Sequence, residues 1–231
     1  MSTFLQLVQT VKREGGITGS VPASLQNQVE EMNRVAGWVN SAWSDIQTLH
    51  TEWEWMRLPV SFTTVAQKGT YTPVQAGVVS AGASNLANWK RNSFRKYPTS
   101  IGVSGEMILP FLDYDTFRDM YLFGIQRTNY APPVVFTVDP QKNFLLGNVP
   151  DATYVINGEY YSLPQTLVLD ADTPQMPSQF HEAIVWKALA HYGMYEAASE
   201  AVQRGKEEYK NFLRRLEADQ LPKITWGLPL A

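Results

Sequence analysis

Chemistry in this chain would have to come from very few residues. It holds three histidines and no cysteine, so thiolate nucleophiles, disulfides and zinc–thiolate centres are excluded, and a reducing compartment fits. Two of the histidines, His181 and His191, lie in "SQFHEAIVWKALAHYG" (178–193), which has the apolar texture of a buried helix. At that separation a helix turns them about 80° apart and spaces them ~15 Å along its axis, whereas a metal-binding pair on one helix sits at i, i+3 or i+4. Glu182 follows His181, but the second histidine of an H-E-x-x-H motif is missing. His50 is remote from both. The spacing predicts three isolated histidines and no metal.

Other routes to catalysis close in the same way. "GVSGE" (102–106) has Glu106 where a nucleophile elbow needs glycine, and neither standard phosphate-cradling glycine motif is present. Two acidic pairs occur, Asp113/Asp115 and Asp170/Asp172. With a divalent cation they would suit a hydrolase, but "DADTPQM" lacks the glycine and distal glutamate of a calcium loop. Helix capping and turn formation account for both pairs. No catalytic residue, cofactor or metal is expected.

"WKRNSFRKYP" (89–98) interleaves Lys90, Arg91, Arg95 and Lys96 with Trp89, Phe94 and Tyr97. Cations with stacking rings are what single-stranded nucleic acid requires, so a nucleic-acid-binding module using residues 89–98 is the alternative function. As a strand, however, the stretch divides its rings and charges between two faces, with Arg95 and Tyr97 on one and Phe94 and Lys96 on the other. A solvated basic side, or an interface with an acidic partner, fits that alternation better.

The elements that would carry these residues fall into three regions. At the amino end Phe4, Leu7, Val8 and Val11 recur at helical spacing after a Ser2 or Thr3 cap, and Gly15-Gly16 ends the run. A longer helix is predicted over 24–55, where Val29, Met32, Val35, Val39, Trp43, Ile46 and Trp53 share a face. Its four tryptophans read as core, with a tryptophan-lined groove as the lesser option. From residue 58 the texture turns β-branched and aromatic. "VSFTTVAQKGTYTP", "VVFTV" (134–138) and "TLVLD" (166–170) read as strands, and Asn157-Gly158 inside "TYVINGEYYSL" reads as a two-residue hairpin turn. One short helix, "DYDTFRDMYLFG", is capped by Asp113 or Asp115 and closed by Gly124. The last region is helical again, capped by Ser178 and stopped by Pro222, with Gly205 allowing either a bend or a continuous rod. The expected fold is α+β: a helical bundle from residues 1–57 and 173–231 packing together, with a β-rich insert over 58–172.

Composition narrows the partners. A chain of 231 residues with 44% hydrophobic and 12% aromatic residues can bury a large core. Its formal charge of −3 argues against a duplex-wrapping DNA binder. No stretch reaches the ~20 apolar residues of a membrane span, and "MSTFLQLVQTVKREGG" lacks the pattern of a secretory signal. A soluble protein used where it is made is expected.

The order of several blocks carries a resemblance. "REGGITG" precedes "GWVNSAWSDIQTLHTEWEWMR", followed by "SFRKYP", "YDTFRDMY", "GEYYSLP", "LDADTPQMPSQFHEAIVWKALAHYG" and "RRLEADQLP". This series, from Thr3 to Ile224, resembles the adaptor (head–tail connector) proteins of short-tailed bacteriophages. The resemblance implies a non-enzymatic virion protein, assembled in the host cytoplasm into a homo-oligomeric ring, commonly a dodecamer. Such a ring sits between the portal protein and the tail nozzle protein, joins head to tail, and lines a channel that DNA traverses without specific binding. It also implies portal contacts in the carboxy-terminal segment, here Tyr209, Phe212, Arg214, Arg215, Leu216, Trp226, Leu228 and Leu230. A weakly acidic balance suits a channel that must release phosphates.

Overall fold

A computed structural model describes residues 1–26 and 30–222. The protein is mixed α+β, with helices at both ends of the chain and antiparallel sheets in the middle. It divides into two compact units: Met1–Met56 with the chain from Pro164 onward, and Arg57–Leu163.

The first unit is helical. Helix α1 (Phe4–Glu14) starts from a capping box in which Thr3 and Gln6 bond each other's backbone reciprocally, and it buries Phe4, Leu7, Val8 and Val11. Helix α2 (Glu30–Leu49) buries Val35, Val39, Ala42, Trp43 and Ile46. It stops short of the expected residue 55 because the chain doubles back: the Trp53 indole donates to the Ile46 carbonyl at 2.9 Å, capping the helix end from outside. Trp53 then stacks on Trp55 at 4.3 Å, and Trp43 and Trp53 are fully buried. Helix α4 (Glu182–Tyr195), entered through a 3-10 turn at Ser178–Phe180, packs against α1, α2 and α5 (Ser199–Gln220). Its small residues permit close approach. A Cβ at Gly193 would lie 2.8 Å from the Val202 amide, and one at Gly205 would lie 2.8 Å from the Trp186 carbonyl. Gly205 therefore sits inside a continuous α5 and is the contact point with α4.

The segment 166–170, expected as a strand, belongs to this unit and pairs with no strand. Its backbone groups are met by carboxamides on α2 instead. Gln47 Oε1 accepts from the Gln165 amide at 2.7 Å while its Nε2 donates to the Gln165 carbonyl at 2.9 Å. Asn40, two turns earlier, holds Leu167 through the same pair of bonds at 3.0 and 2.9 Å. The expected strand does not form: α2 holds Leu167, the Val168 and Leu169 amides donate to the Asp172 carboxylate, and the chain turns at Leu169–Asp172.

The second unit is built on β10 (Tyr154–Ser162), a nine-residue strand. It pairs antiparallel with β1 (Arg57–Thr63) on one edge and with β5 (Leu86–Trp89) and β6 (Arg95–Pro98) on the other, and β7 (Met107–Ile108) extends the sheet beyond β6. A smaller sheet runs β2 (Thr70–Tyr71), β9 (Phe144–Gly147), β8 (Val135–Val138), and β3 (Val79–Ser80) with β4 (Ala83–Ser84) makes a hairpin. Helix α3 (Tyr114–Tyr121) is capped by the Asp113 carboxylate. The core is aromatic: Trp89, Phe94, Phe136 and Phe144 touch one another, with Phe136 and Phe144 stacked at 4.5 Å.

The Asn157-Gly158 hairpin does not form. Both residues lie inside β10, opposite Ser61 and Val60, and neither takes the positive φ a type I′ turn requires. The glycine is there for space. A side chain at 158 would overlap the Phe94 ring, with Cγ only 2.9 Å from the new Cβ.

Candidate interaction surfaces

The three histidines are used structurally. His181 is buried at the start of α4, its Nδ1 accepting from the Ser2 amide at 3.2 Å and its Nε2 donating to the Met176 carbonyl at 3.0 Å. That arrangement selects the neutral ring, and burial lowers its pKa. His191 lies 3.6 Å from Asp45 Oδ2, and burial and then Lys187 lower its pKa against the pull of that carboxylate. His50 pairs with Glu217 at 2.9 Å, linking the end of α2 to the last turns of α5. Among the described residues, no group of three or more His, Asp or Glu side chains converges on a metal position.

The acidic pairs serve as caps and turns. Asp113 accepts from the Asp115 amide, and Asp115 reaches Arg118 at 3.4 Å. Asp172 accepts from the Val168 and Leu169 amides, which hold its carboxyl below the usual range, and Asp170 accepts from the Leu25 amide at 2.8 Å. In the 102–105 turn the Ser104 hydroxyl donates to the Ile101 carbonyl and meets no base.

The basic and aromatic stretch 89–98 is divided as its alternation predicts. Trp89 and Phe94 are buried in the core of the β unit, unavailable as a stacking platform. The cations above them are largely engaged within the fold. Lys90 and Arg57 converge on Glu159, and burial, which would raise that carboxyl, is outweighed by the two cations so that it is held low. Arg95 faces Glu106 at 3.9 Å, Arg91 lies over the Phe111 ring, and Lys96 is buried beside Tyr154. With Trp89 and Phe94 inside and Lys90 and Arg95 facing carboxylates, the stretch offers a nucleic acid no stacking platform from those two rings.

On α5 the residues expected to meet a partner divide by burial. Arg214 and Arg215 are exposed, and Arg215 covers the half-buried Phe212 ring at 4.4 Å. Tyr209 lies under the Lys187 ammonium, its hydroxyl pushed up to about 12 by burial and by Asp45 and Glu217. Leu216 is fully buried, so it anchors the helix and presents nothing outward. Trp226, Leu228 and Leu230 lie outside the described residues.

Sequence reasoning missed the apolar surface of the β unit. Ile101, Val103, Met107 and Ile108 are exposed around the edge strand β7, and Met120, Phe123, Ile125 and Tyr130 are exposed along α3 and the turn after it. Their only sequence signal is apolar residues without helical or strand periodicity. Surface of this kind marks contact with other macromolecules. The family model for the SU10 adaptor protein matches residues 2–230. The chain belongs to the SU10 adaptor protein family. A comparison with curated proteins gives no match. As an SU10 adaptor it is a structural bacteriophage protein, a virion component that interacts with other head and tail proteins, and its family is not enzymatic. In this adaptor the histidines and acids described above are engaged within the fold, and the apolar side chains of the β unit named above are exposed. No helix among the described residues is long and apolar enough to cross a membrane.

Proposed function

We propose that this adaptor assembles in the host cytoplasm into a ring, expected to be dodecameric, between the portal protein and the tail nozzle protein. There it joins head to tail and lines the channel through which DNA leaves. The observation that carries this reading is the family match over residues 2–230. Two features support it. The formal charge of −3 gives passing phosphates no net attraction, so DNA traverses the channel without specific binding. The apolar side chains exposed on the β unit are surface that neighbouring subunits or other neck proteins would cover.

The portal-facing surface is assigned to the carboxy-terminal segment. Phe212, Arg214 and Arg215 on α5 supply a ring beside two cations, Tyr209 and Leu216 hold the helix to its own unit, and Trp226, Leu228 and Leu230 follow in the sequence as apolar anchors. Mixing the purified protein with its portal and imaging the product by electron microscopy tests the assignment. A closed ring capping the portal is expected, lost or weakened on Arg214→Glu with Arg215→Glu. A protein that stays monomeric and leaves the portal bare refutes it.

A further inference from the structure

Within the β unit a cleft of about 280 Å³ opens between α3 and its following turn on one side and β2 and β9 on the other. Its floor is apolar, made by Tyr121, Leu145 and Leu146. Helix α3 can lie this low because Gly147 has no side chain; a Cβ there would fall 2.9 Å from both the Phe117 and Tyr121 rings. The rim is polar and underused. The Gln67 side chain has no hydrogen-bond partner among the described residues, and its backbone is held at φ 63° by a bond from its amide to the Pro150 carbonyl. Gln126 and Asn148 each engage only through long contacts to Asn129 and Pro132, at 3.2 to 3.4 Å.

Arg127 is the sole charged residue lining the cleft. Its Nε reaches only the Gly124 carbonyl, at 3.5 Å, and no carboxylate among the described residues pairs with it. Tyr130, itself exposed, also lines the cleft. An apolar floor, a positive charge without a counter-charge and carboxamides with spare bonding capacity occupy one place.

We propose that this cleft binds an extended segment of another polypeptide, one that presents an apolar side chain next to a carboxylate. The apolar side chain fills the floor and the carboxylate pairs with Arg127. The carboxamides take the peptide backbone, as Asn40 and Gln47 already do in this molecule for residues 165–167. A neutral saccharide would satisfy the carboxamides but would leave Arg127 without a counter-charge and set hydroxyls against Leu145 and Leu146, so the apolar floor and the lone cation favour peptide. This site is separate from the portal surface on α5, and either assignment can fail without the other.

The test uses the full-length, isotope-labelled protein and three probes: N-acetyl-Leu-Asp N-methylamide, its Leu-Asn counterpart, and maltose. Titrated to about 20 mM, within reach of millimolar binding, the Leu-Asp probe is expected to give saturable amide shifts at Tyr121, Gln126, Arg127 and Leu146. The Leu-Asn probe, and Leu-Asp against Arg127→Gln, are expected to bind about fivefold more weakly, as for one partly exposed ion pair. Arg127 is exposed, and an unchanged spectrum outside the cleft will confirm that the variant is folded. No saturable shift with either peptide, equal binding of both, or saturation by maltose in their place overturns the proposal.

Discussion

Gly158→Ala separates two explanations of the same dipeptide. In a type I′ turn the alanine would suffer from positive φ, at about 1–2 kcal/mol, whatever its neighbours. In the strand seen here φ is not positive, and an alanine with room to spare would stabilise β10 by about 0.5–1 kcal/mol over glycine. Room is what is missing. The added methyl overlaps the Phe94 ring, and Phe94 is itself held by Phe136 at 4.8 Å and Phe144 at 4.9 Å, all fully buried. Overpacking costs about 1–3 kcal/mol, and a ring hemmed in on two sides puts this site at the upper end. Subtracting the backbone gain leaves a net loss of about 2 kcal/mol. For a unit of this size that is a fall in Tm of about 10 °C, read by circular dichroism or urea titration. Phe94→Leu opens the space, so the double variant should be more stable than the two single losses sum to, by more than about 1 kcal/mol. An unchanged or higher Tm for Gly158→Ala, or additive losses, refutes the steric account.

The carboxamide clamps on α2 should matter as much as a strand pairing. Gln47→Ala removes both hydrogen bonds to Gln165, with a longer third to the Trp43 carbonyl, and leaves the Gln165 amide and carbonyl unmet, at a cost of about 1–3 kcal/mol in urea unfolding; a variant with the same midpoint would show that water replaces the clamp without loss. Acid stability should depend on His181. Its folded pKa is lowered from 6.5, so the unfolded chain takes up the proton first as pH falls. The contribution is whole above about pH 6.5 and declines below it. His191 shifts in the same direction and adds to the slope. His181→Gln, whose carboxamide can still bond Ser2 and Met176, should flatten the fall of Tm between about pH 6.5 and 5; a slope identical to that of the natural protein contradicts the assignment.

What could be read from the sequence was whatever is settled by near neighbours. The Thr3 cap, the Asp113 cap (each one of two candidates offered by the sequence) and the alternation at 94–97 depend on residues within four positions. The misreadings share the opposite cause. Gly158 answers to Phe94, 64 positions away, and the 165–167 segment answers to Asn40 and Gln47, more than 110 positions away. The end of α2 is decided by the Trp53 indole folding back, and of the bend and the rod that Gly205 left open the rod forms, with α4 lying close against it. In each case a strong local signal was true of the residue but was spent on a distant neighbour. The apolar side chains exposed along α3 and the turn after it gave only an aperiodic signal, because exposure is a property of the folded surface.

The distribution of polar groups explains why an adaptor reads as chemically empty. A catalytic site keeps titratable side chains unmatched and aimed at a cavity. Here His181 is held between two backbone groups, Asp172 accepts two amides, and Glu159 is clasped by Arg57 and Lys90. Beside its charged surface the β unit leaves large apolar side chains exposed: Ile125 at 82%, Val103 at 74% and Ile108 at 68%. The sheet edges decide how such surface can be covered. β7 is two residues long, and β1 carries Pro59, which has no donor to offer a further strand. Short edges and edge prolines are the features that prevent uncontrolled strand addition. On the assembly proposed above, a partner would meet exposed side chains, whose shapes discriminate among neighbours in a way that a bare backbone edge would not.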